Sequence, residues 1–360
     1  MWPSLRNKLH ISFFGATNSG KSTLVNAIAG QSVSLVSDLP GTTTDPVRKR
    51  IELPGLGPCV LVDTAGYGDG GELGAERERL TRAVIDYTDV AVLIRSGHPA
   101  DAQWEALLQA EGAVLVPVAR GDDKALVIQR IIASVPREEA PYLTGSLVRE
   151  GSLVVLVMPQ DSEAPQGRII LPQVQVLREL LDRGCLPLCC TPDKLPAALR
   201  SLGRLPDLVI TDSQVFGAVH AALPAQVPLT SFSILLAAAK GDATRFREGA
   251  EAIGRLQAGD RVLIAEACTH VPDTEDIGRV KIPALLARKV PDLQIEIAAG
   301  NDFPEDLGRY ALIIHCGACV ASARLVQARL RKASRAQVPM TNYGMALAYL
   351  QGILDRVSLP

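Results

Sequence analysis

The sequence feature that most constrains the fold is the octapeptide GATNSGKS, Gly15–Ser22, which fits the pattern G-x-x-x-x-G-K-[ST]. The apolar stretch HISFFGA before it predicts a buried strand, and a helix is predicted after it. Glycines at 15 and 20 let the backbone curl, so that successive N–H groups face a phosphate at the positive end of that helix. Lys21 is expected to reach the β- and γ-phosphates, and the Ser22 hydroxyl to hold Mg²⁺. The order strand, phosphate loop and helix predicts an α/β domain; the alternative is a glycine-rich turn with a chance lysine.

Two more motifs accompany this loop. DTAG, Asp63–Gly66, follows an apolar strand, where an aspartate near Mg²⁺ and a glycine that senses the γ-phosphate belong. PGTTTD, Pro40–Asp45, lies between the two, where a mobile threonine, Thr42 or Thr43, would close onto Mg²⁺. The three motifs in this order resemble the translation-factor-like GTPases, and more narrowly the branch with GTTxD switches. The resemblance implies catalytic roles for Lys21, Thr43, Asp63 and Gly66.

The resemblance also makes predictions about how hydrolysis is assisted. Asn18 matches the asparagine with which some members of the branch hold K⁺, and K⁺ beside the β–γ bridge would neutralise developing charge as an arginine does. Tyr67 follows DTAG in place of a water-orienting glutamine, so water must be positioned from elsewhere. Glu72 is a candidate for that role, although a surface charge is its more ordinary role. We expect slow turnover, as in a switch.

The guanine-specifying position departs from the family pattern. Where Asn-Lys-x-Asp should follow AVLVPV, the chain has ARGDD, with Ala119 in place of the asparagine. Asp122 is still expected to accept hydrogen bonds from the guanine edge, but no Ser-Ala loop follows. The predicted GTP-binding residues are Gly15, Asn18, Ser19, Gly20, Lys21, Ser22, Thr23, Thr42, Thr43, Asp63 and Asp122.

Beyond this module the pattern predicts two smaller α/β domains with parallel sheets. Apolar runs such as LVVLVMP and DLVITDSQ, and later RVLIAEAC and YALIIHC, alternate with helical spacing. A polar stretch with two prolines is predicted as a linker. No internal repeat is evident. The predicted divisions are 1–137 for the GTPase domain, 138–150 for the linker, 151–230 for the middle domain and 231–360 for the last.

The last domain carries thiols and imidazoles at two predicted strand ends. His315, Cys316 and Cys319 form H-C-x-x-C, and Cys268 and His270 form C-x-H. Parallel strands bind ligands at their carboxyl ends, so the two groups are expected to meet. Thiolates and imidazole suit zinc or an iron–sulfur cluster. Three cysteines would hold three irons of a [4Fe–4S] cube, with His270 or His315 near the fourth; the alternative is cysteines packed as small apolar residues.

With its K⁺-type GTPase motifs and the C-x-H…H-C-x-x-C pattern, the whole chain resembles the HydF family, the GTPases that mature [FeFe]-hydrogenase. The resemblance implies that Cys268, Cys316 and Cys319 ligate a [4Fe–4S] cluster. It also implies that the middle domain makes a homodimer, with a tetramer as the other possibility. Such a protein would carry the diiron subcluster, receive it through radical-SAM maturases and deliver it to apo-[FeFe]-hydrogenase.

Composition restricts the other possibilities. The net charge of −2 gives no electrostatic support for nucleic acid or an anionic membrane as the main partner. Seven unevenly clustered cysteines argue against a disulfide framework, and no apolar run is long enough to span a membrane. The chain is expected to be soluble and cytoplasmic. Two alternatives stay open: a ribosome- or RNA-maturation GTPase with a zinc module, and a redox or metal-binding protein with a decayed nucleotide site.

Overall fold

The computed structural model describes residues 9–30, 46–136, 142–160, 167–267, 276–300, 302–319 and 321–360. The chain forms two compact units, residues 1–139 and 140–360. The first unit contains one five-stranded sheet and the second contains two four-stranded sheets. This confirms the predicted α/β class, a phosphate-loop domain followed by two smaller parallel sheets. Among the described residues, no helix has the length and apolar character that crossing a bilayer requires.

The first unit is a mostly parallel sheet with the strand order β2-β3-β1-β4-β5. Its only antiparallel pair among the described strands is the hairpin of β2 and β3, in which Leu53 pairs with Gly57. The strands β1 and β4 are mostly apolar and buried, as is typical of a parallel sheet that is covered on both faces. The elements are β1 Leu9–Gly15, α1 Lys21–Ala29, β2 Val47–Leu53, β3 Gly57–Asp63, α2 Gly71–Ile85, β4 Val90–Arg95, α3 Asp101–Ala110, β5 Val114–Ala119 and α4 Lys124–Ser134.

The first small sheet of the second unit has the order β7-β6-β8-β9 and is parallel throughout. Its elements are β6 Leu153–Val157, α5 Leu171–Asp182, β7 Leu186–Cys190, α6 Leu195–Ser201, β8 Leu208–Thr211, α7 Phe216–Ala222, β9 Leu229–Ser231 and α8 Phe232–Lys240. Residues 142–150, part of the predicted linker, pack on it. Glu179 accepts from the backbone N–H groups of Leu143 and Thr144, and Arg183 donates to the Gly145 and Val148 carbonyls.

The second small sheet has the order β11-β10-β12-β13, again parallel throughout. Its elements are α9 Ala243–Glu251, β10 Arg261–Glu266, α10 Ile282–Lys289, β11 Gln294–Ala299, β12 Leu312–His315, α11 Ala323–Arg335, β13 Met340–Asn342 and α12 Tyr343–Leu350. The two small sheets therefore have the same strand order. Counted along the chain within each sheet, the strands lie side by side as second, first, third and fourth. The topology is repeated although the sequence showed no repeat.

The two small sheets share a core and meet where their strands end. One hydrophobic cluster contains Val157 and Leu229 of the first sheet together with Leu263 and Ile313 of the second. Just beyond β12, a Cβ on Gly317 would lie 3.4 Å from the Ser233 Cβ at the start of α8. The carboxyl end of β12 thus lies close to the other sheet, and this arrangement positions the thiol-bearing loop.

Candidate functional site

The phosphate loop connects β1 to α1 as the motif predicts. Gly20, the residue before the helix, has φ of 95°, and Asn18 has φ of 61°, so both lie in the left-handed region. The Ser19 N–H donates to the Ala16 carbonyl at 3.1 Å, which closes the loop on itself. Asn18 is exposed, whereas Ser19 is buried. The loop therefore begins the helix with its backbone already curled for an anion.

Lys21 lies inside this loop. It is 6% exposed, and its Nζ donates to the carbonyl oxygens of Gly15 at 3.0 Å and Ala16 at 2.9 Å. Burial lowers the pKa of Lys21 to about 8, while the nearby carboxylates of Asp63 and Asp69 act in the opposite direction. The lysine thus sits beside the phosphate loop with its charge balanced only in part by protein groups.

The predicted Mg²⁺ ligands Ser22 and Asp63 are in contact. β3, which ends at Asp63, pairs with β1, so that Phe13 and Asp63 are neighbours in register. The Ser22 hydroxyl donates to Asp63 Oδ2 at 2.6 Å, and Asp63 is fully buried. A hydroxyl and a carboxylate are oxygen ligands of the kind that Mg²⁺ prefers. Thr42 and Thr43, the predicted switch threonines, lie outside the described residues.

Gly66 packs directly on the phosphate loop. A Cβ there would lie 2.6 Å from the Thr17 Cα, and the Thr17 N–H donates to the Tyr67 carbonyl at 3.0 Å. Tyr67 is turned into the core, where its hydroxyl donates to Asp101 at 2.7 Å and its ring stacks on Trp104 at 4.8 Å. Burial, with help from Asp101, raises the pKa of Tyr67. The Tyr67 side chain is therefore fixed in the core and is not directed at the phosphate loop. Glu72, the other residue considered for positioning water, is exposed in the first turn of α2.

Asp122 lies just after β5, where the base-recognition motif was predicted. Its Oδ2 accepts from the Ala119 N–H at 3.0 Å and from Arg130 at 2.9 Å. Both contacts use the same oxygen, so the ion pair with Arg130 orients the carboxylate.

In the second unit, the thiol loop Cys316–Cys319 leaves the carboxyl end of β12. The Cys316 Sγ accepts from the N–H of Ala267 at 3.1 Å and of Ala318 at 3.4 Å. Ala267 follows β10 and comes directly before Cys268 in the sequence. The chain after β10 therefore contacts Cys316 one residue before Cys268, the third predicted cysteine ligand. Cys268 and His270 themselves lie outside the described residues. Within the parts of the chain that are described, no group of three or more His, Cys, Asp or Glu side chains is arranged to hold a metal ion.

His315 is committed to the protein interior. It is 1% exposed, its Nδ1 lies 2.7 Å from the Cys316 carbonyl oxygen, and its Nε2 lies 2.9 Å from Arg329. The carbonyl requires a donor and the guanidinium an acceptor, so the ring is neutral with its proton on Nδ1. Burial, then the charge of Arg329, lowers the pKa of His315 to about 3. Both nitrogens of this predicted metal ligand are thus used within the protein.

Several residues around the thiol loop carry no motif, and sequence reasoning missed them. Arg329, on α11, also donates to the Glu266 carbonyl at 3.2 Å and to the Gly300 carbonyl at 2.5 Å. The buried Glu266 carboxylate receives two bonds from Arg279, at 2.8 and 3.1 Å. These contacts join the ends of β10, β11 and β12. The one signal in the sequence is Glu266, a charged residue at the end of the apolar strand β10.

Tyr343, the first residue of α12, supplies an unusual polar group beside the loop. The residue is 9% exposed, and among the described residues its hydroxyl has no hydrogen-bond partner. Burial raises the pKa of Tyr343, and the nearby Cys316 and Glu266 act in the same direction. Gly278 leaves room for it, since a Cβ there would lie 1.9 Å from the hydroxyl oxygen. A buried, unpartnered hydroxyl is costly to the protein alone, which suits a site that binds a polar group.

Comparisons with known families agree with this architecture. Residues 143–241 match the hydrogen maturase F dimerization domain, and residues 244–360 match the hydrogen maturase F tetramerization domain. The chain belongs to the hydrogen maturase F family. Residues 10–119 match the 50S ribosome-binding GTPase family, so the first unit is a GTPase domain. The predicted HydF resemblance is thus confirmed, and the two C-terminal matches support homo-oligomerisation.

Individual relatives match parts of the chain. The tRNA modification GTPase MnmE of Xanthomonas euvesicatoria pv. vesicatoria is 40% identical over 112 residues, which cover 31% of this chain and 25% of that protein. MnmE of Myxococcus xanthus is 37% identical over 142 residues, 39% of this chain and 31% of that protein. The chain thus spans about a quarter to a third of the length of these relatives. A structure of Aquifex aeolicus Era bound to GDP and AlF4⁻ is 16% identical to this chain. The alignment covers 83% of this chain and 97% of the Era chain, but the TM-score is only 0.29, too low to indicate a shared overall fold.

Proposed function

We propose that this protein is a GTP-hydrolysing scaffold and carrier in [FeFe]-hydrogenase maturation, which binds a [4Fe–4S] cluster and transfers the diiron subcluster to the apo-hydrogenase. The observation that carries the proposal is the thiol loop Cys316–Cys319. It lies beside the strand that leads to Cys268, in a chain built from hydrogen maturase F domains.

In the GTPase domain, the curled backbone of the phosphate loop would bind the β-phosphate, and Lys21 would turn from its two carbonyl acceptors toward the β- and γ-phosphates. The Ser22 and Asp63 oxygens would hold Mg²⁺, which would neutralise part of the negative charge of the phosphates. Thr43 would be a further Mg²⁺ ligand when the switch closes, and Gly66 would contact the γ-phosphate and so sense its presence.

Monovalent cation and base selection are further parts of the proposal. Asn18 is exposed on the phosphate loop, where its amide oxygen would contact K⁺ beside the β–γ bridge. Hydrolysis should therefore be faster in KCl than in NaCl, and Asn18→Ala should remove the difference. Asp122, oriented by Arg130, would accept from the guanine edge through Oδ1. GTP is thus the proposed substrate.

The residues of the second unit fit an iron–sulfur group. The Cys316 sulfur accepts two backbone N–H groups, and the Tyr343 hydroxyl has no partner among the described residues. Both suit a polyanionic cluster better than an apolar core. Cys268, Cys316 and Cys319 would ligate three irons, and the fourth iron would supply an exchangeable coordination position. His270 is the better candidate near that position, since both nitrogens of His315 are already hydrogen bonded.

Homodimerisation through the first small sheet is part of the same proposal. β7 lies at the edge of that sheet, and Leu186 on it is 58% exposed. Leu171, Val174 and Leu181 on the adjoining α5 are also exposed. An open strand edge beside apolar side chains favours pairing with a second copy. A tetramer would then use residues 244–360. The remaining proposed partners are the radical-SAM maturases, which supply the cargo, and the apo-hydrogenase, which receives it.

The experiment that tests the function is transfer of activity. Protein purified without oxygen from cells that contain the radical-SAM maturases is incubated with apo-[FeFe]-hydrogenase, and hydrogen evolution is measured. Wild type and Cys59→Ser should both activate the hydrogenase, because Cys59 lies in the first unit and a serine hydroxyl can keep its hydrogen bond to the Gly57 carbonyl. Cys316→Ser should not.

The likeness to MnmE gives a second candidate, an RNA-maturation GTPase with a C-terminal zinc module. It has no support from the net charge of −2. Stoichiometric zinc with RNA binding, and no activation of the hydrogenase, would favour it over the carrier.

A further inference from the structure

The thiol loop, which follows β12 of the second small sheet, is contacted by a lysine from α8, the helix that follows the first small sheet. Lys240, the last residue of α8, donates from Nζ to the carbonyl oxygen of Ala318 at 2.6 Å and to that of Cys319 at 3.1 Å. The lysine is 8% exposed. Burial lowers its pKa, and the nearby sulfur atoms of Cys319 and Cys316 act in the opposite direction, as expected for a cation close to both.

These hydrogen bonds go to the strained part of the loop. Ala318 has φ of 51°, in the left-handed region that residues with a Cβ avoid. Its carbonyl accepts from Lys240, and its N–H donates to the Cys316 sulfur at 3.4 Å. Both backbone groups of the strained residue are therefore bound, one by the ammonium and one by the thiol.

The same loop joins two cores. Cys316 packs against the cluster that contains Ile314 and Tyr343 of the second small sheet. Cys319 packs against the cluster that contains Phe232 and Leu235 of the first. Lys240 lies in the part of the chain that matches the dimerization domain, whereas the loop lies in the part that matches the tetramerization domain. The cysteine pair is thus shaped by residues from both.

We propose that Lys240 is a positioning residue for the iron–sulfur cluster, which holds the Cys316–Cys319 loop from the dimerization domain and places a buried positive charge beside the sulfur ligands. The inference rests on the proposed function. A cluster gains a negative charge on reduction, so a nearby cation stabilises the reduced form and raises the reduction potential. A loop held in its binding shape also releases iron more slowly.

The test compares the full-length protein, reconstituted anaerobically, as wild type, Lys240→Met and Lys289→Met. Lys289 is the matched control, because it is an exposed lysine of the same unit that lies over Tyr349 and not against the loop. The cluster is titrated with reductant and followed by electron paramagnetic resonance, and iron loss to a ferrous chelator is timed. For Lys240→Met, the reduced-to-oxidised ratio at fixed potential should fall about tenfold, ~59 mV for a one-electron couple, and iron loss should be several-fold faster. Lys289→Met should match the wild type.

Lys240→Gln separates the two effects and serves if the methionine variant does not fold. It keeps a hydrogen-bond donor without the charge, so the potential should shift while iron loss stays near the wild-type rate. If potential and iron loss are unchanged in both Lys240 variants, the inference is wrong and the cluster assignment stands. If the wild type takes up no iron and sulfide, the proposed function fails and this inference fails with it.

Discussion

The phosphate loop of the first unit and the thiol loop of the second both follow a strand of a parallel sheet, but they are built differently. The phosphate loop is closed mainly by neighbours in sequence, because Ser19 and Lys21 bond within six residues, and its distant hydrogen bond is the one from the Thr17 N–H to the Tyr67 carbonyl. The thiol loop depends on distant residues, because Lys240 and Ala267 contact it from 78 and 49 positions away. A local site can be recognised from its motif. A site assembled by tertiary contacts shows only its ligands in the sequence and not the residues that hold them.

The largest expected effect tests the local site. Lys21→Met should lower kcat/KM for GTP hydrolysis by roughly a thousandfold, because the buried ammonium that would contact the transferred phosphate is lost. Phosphate release at several GTP concentrations measures it. Lys49→Met is the control, since Lys49 lies on β2 and donates to the Ala29 carbonyl. A change of less than tenfold for Lys21→Met would mean that the phosphate loop is not the catalytic site.

The second effect tests the tertiary support of the other site. Arg329→Met leaves the Glu266 and Gly300 carbonyls and His315 without their buried donor, so the apo-protein should lose about 3 kcal/mol of stability. Urea unfolding followed by a probe in the second unit measures the loss. Arg178→Met, which removes a solvent-exposed partner of Asp182, should leave the midpoint unchanged. Equal midpoints for both variants would show that Arg329 does not hold the strand ends together.

The same comparison explains what could be predicted from the sequence. The α/β class follows from long apolar runs, and the Ser22–Asp63 contact follows from two short motifs that each stand at the end of an apolar strand or at the start of a helix. The strands Leu229–Ser231 and Met340–Asn342 are only three residues long, so they show no periodicity. His315 looked like a metal ligand because its neighbours are cysteines. Its hydrogen bond to Arg329 depends on how α11 packs, which no local pattern encodes.

A smaller effect concerns pH at the local site. With a pKa of about 8, Lys21 is mostly protonated at pH 7 and mostly neutral at pH 9. Nucleotide phosphates favour the protonated form, so binding at pH 9 must take up a proton. The Kd of a non-hydrolysable GTP analogue should therefore rise about tenfold from pH 7 to pH 9, at ~1.4 kcal/mol per unit above the pKa. Calorimetry in two buffers of different ionisation enthalpy counts the proton, and a flat Kd without proton uptake would contradict the expectation.

The smallest effect concerns the unpartnered hydroxyl beside the thiol loop. Tyr343→Phe should stabilise the apo-protein by about 1 kcal/mol, because it removes a buried hydroxyl that has no partner within the described part of the chain. Tyr310→Phe is the matched control and should destabilise it, since the Tyr310 hydroxyl accepts from Arg309 at 2.6 Å. Thermal unfolding of both variants gives the sign. A destabilised Tyr343→Phe would show that the hydroxyl serves the empty protein and is not reserved for a bound group.

The most direct measurement of the central claim is the metal and sulfide content of anaerobically reconstituted protein, as wild type and as Cys268→Ser. Three thiols from two strand ends predict about four iron and four sulfide per chain in the wild type, with most of both lost in the variant. Zinc without sulfide in the wild type, or iron and sulfide unchanged by Cys268→Ser, would contradict the account.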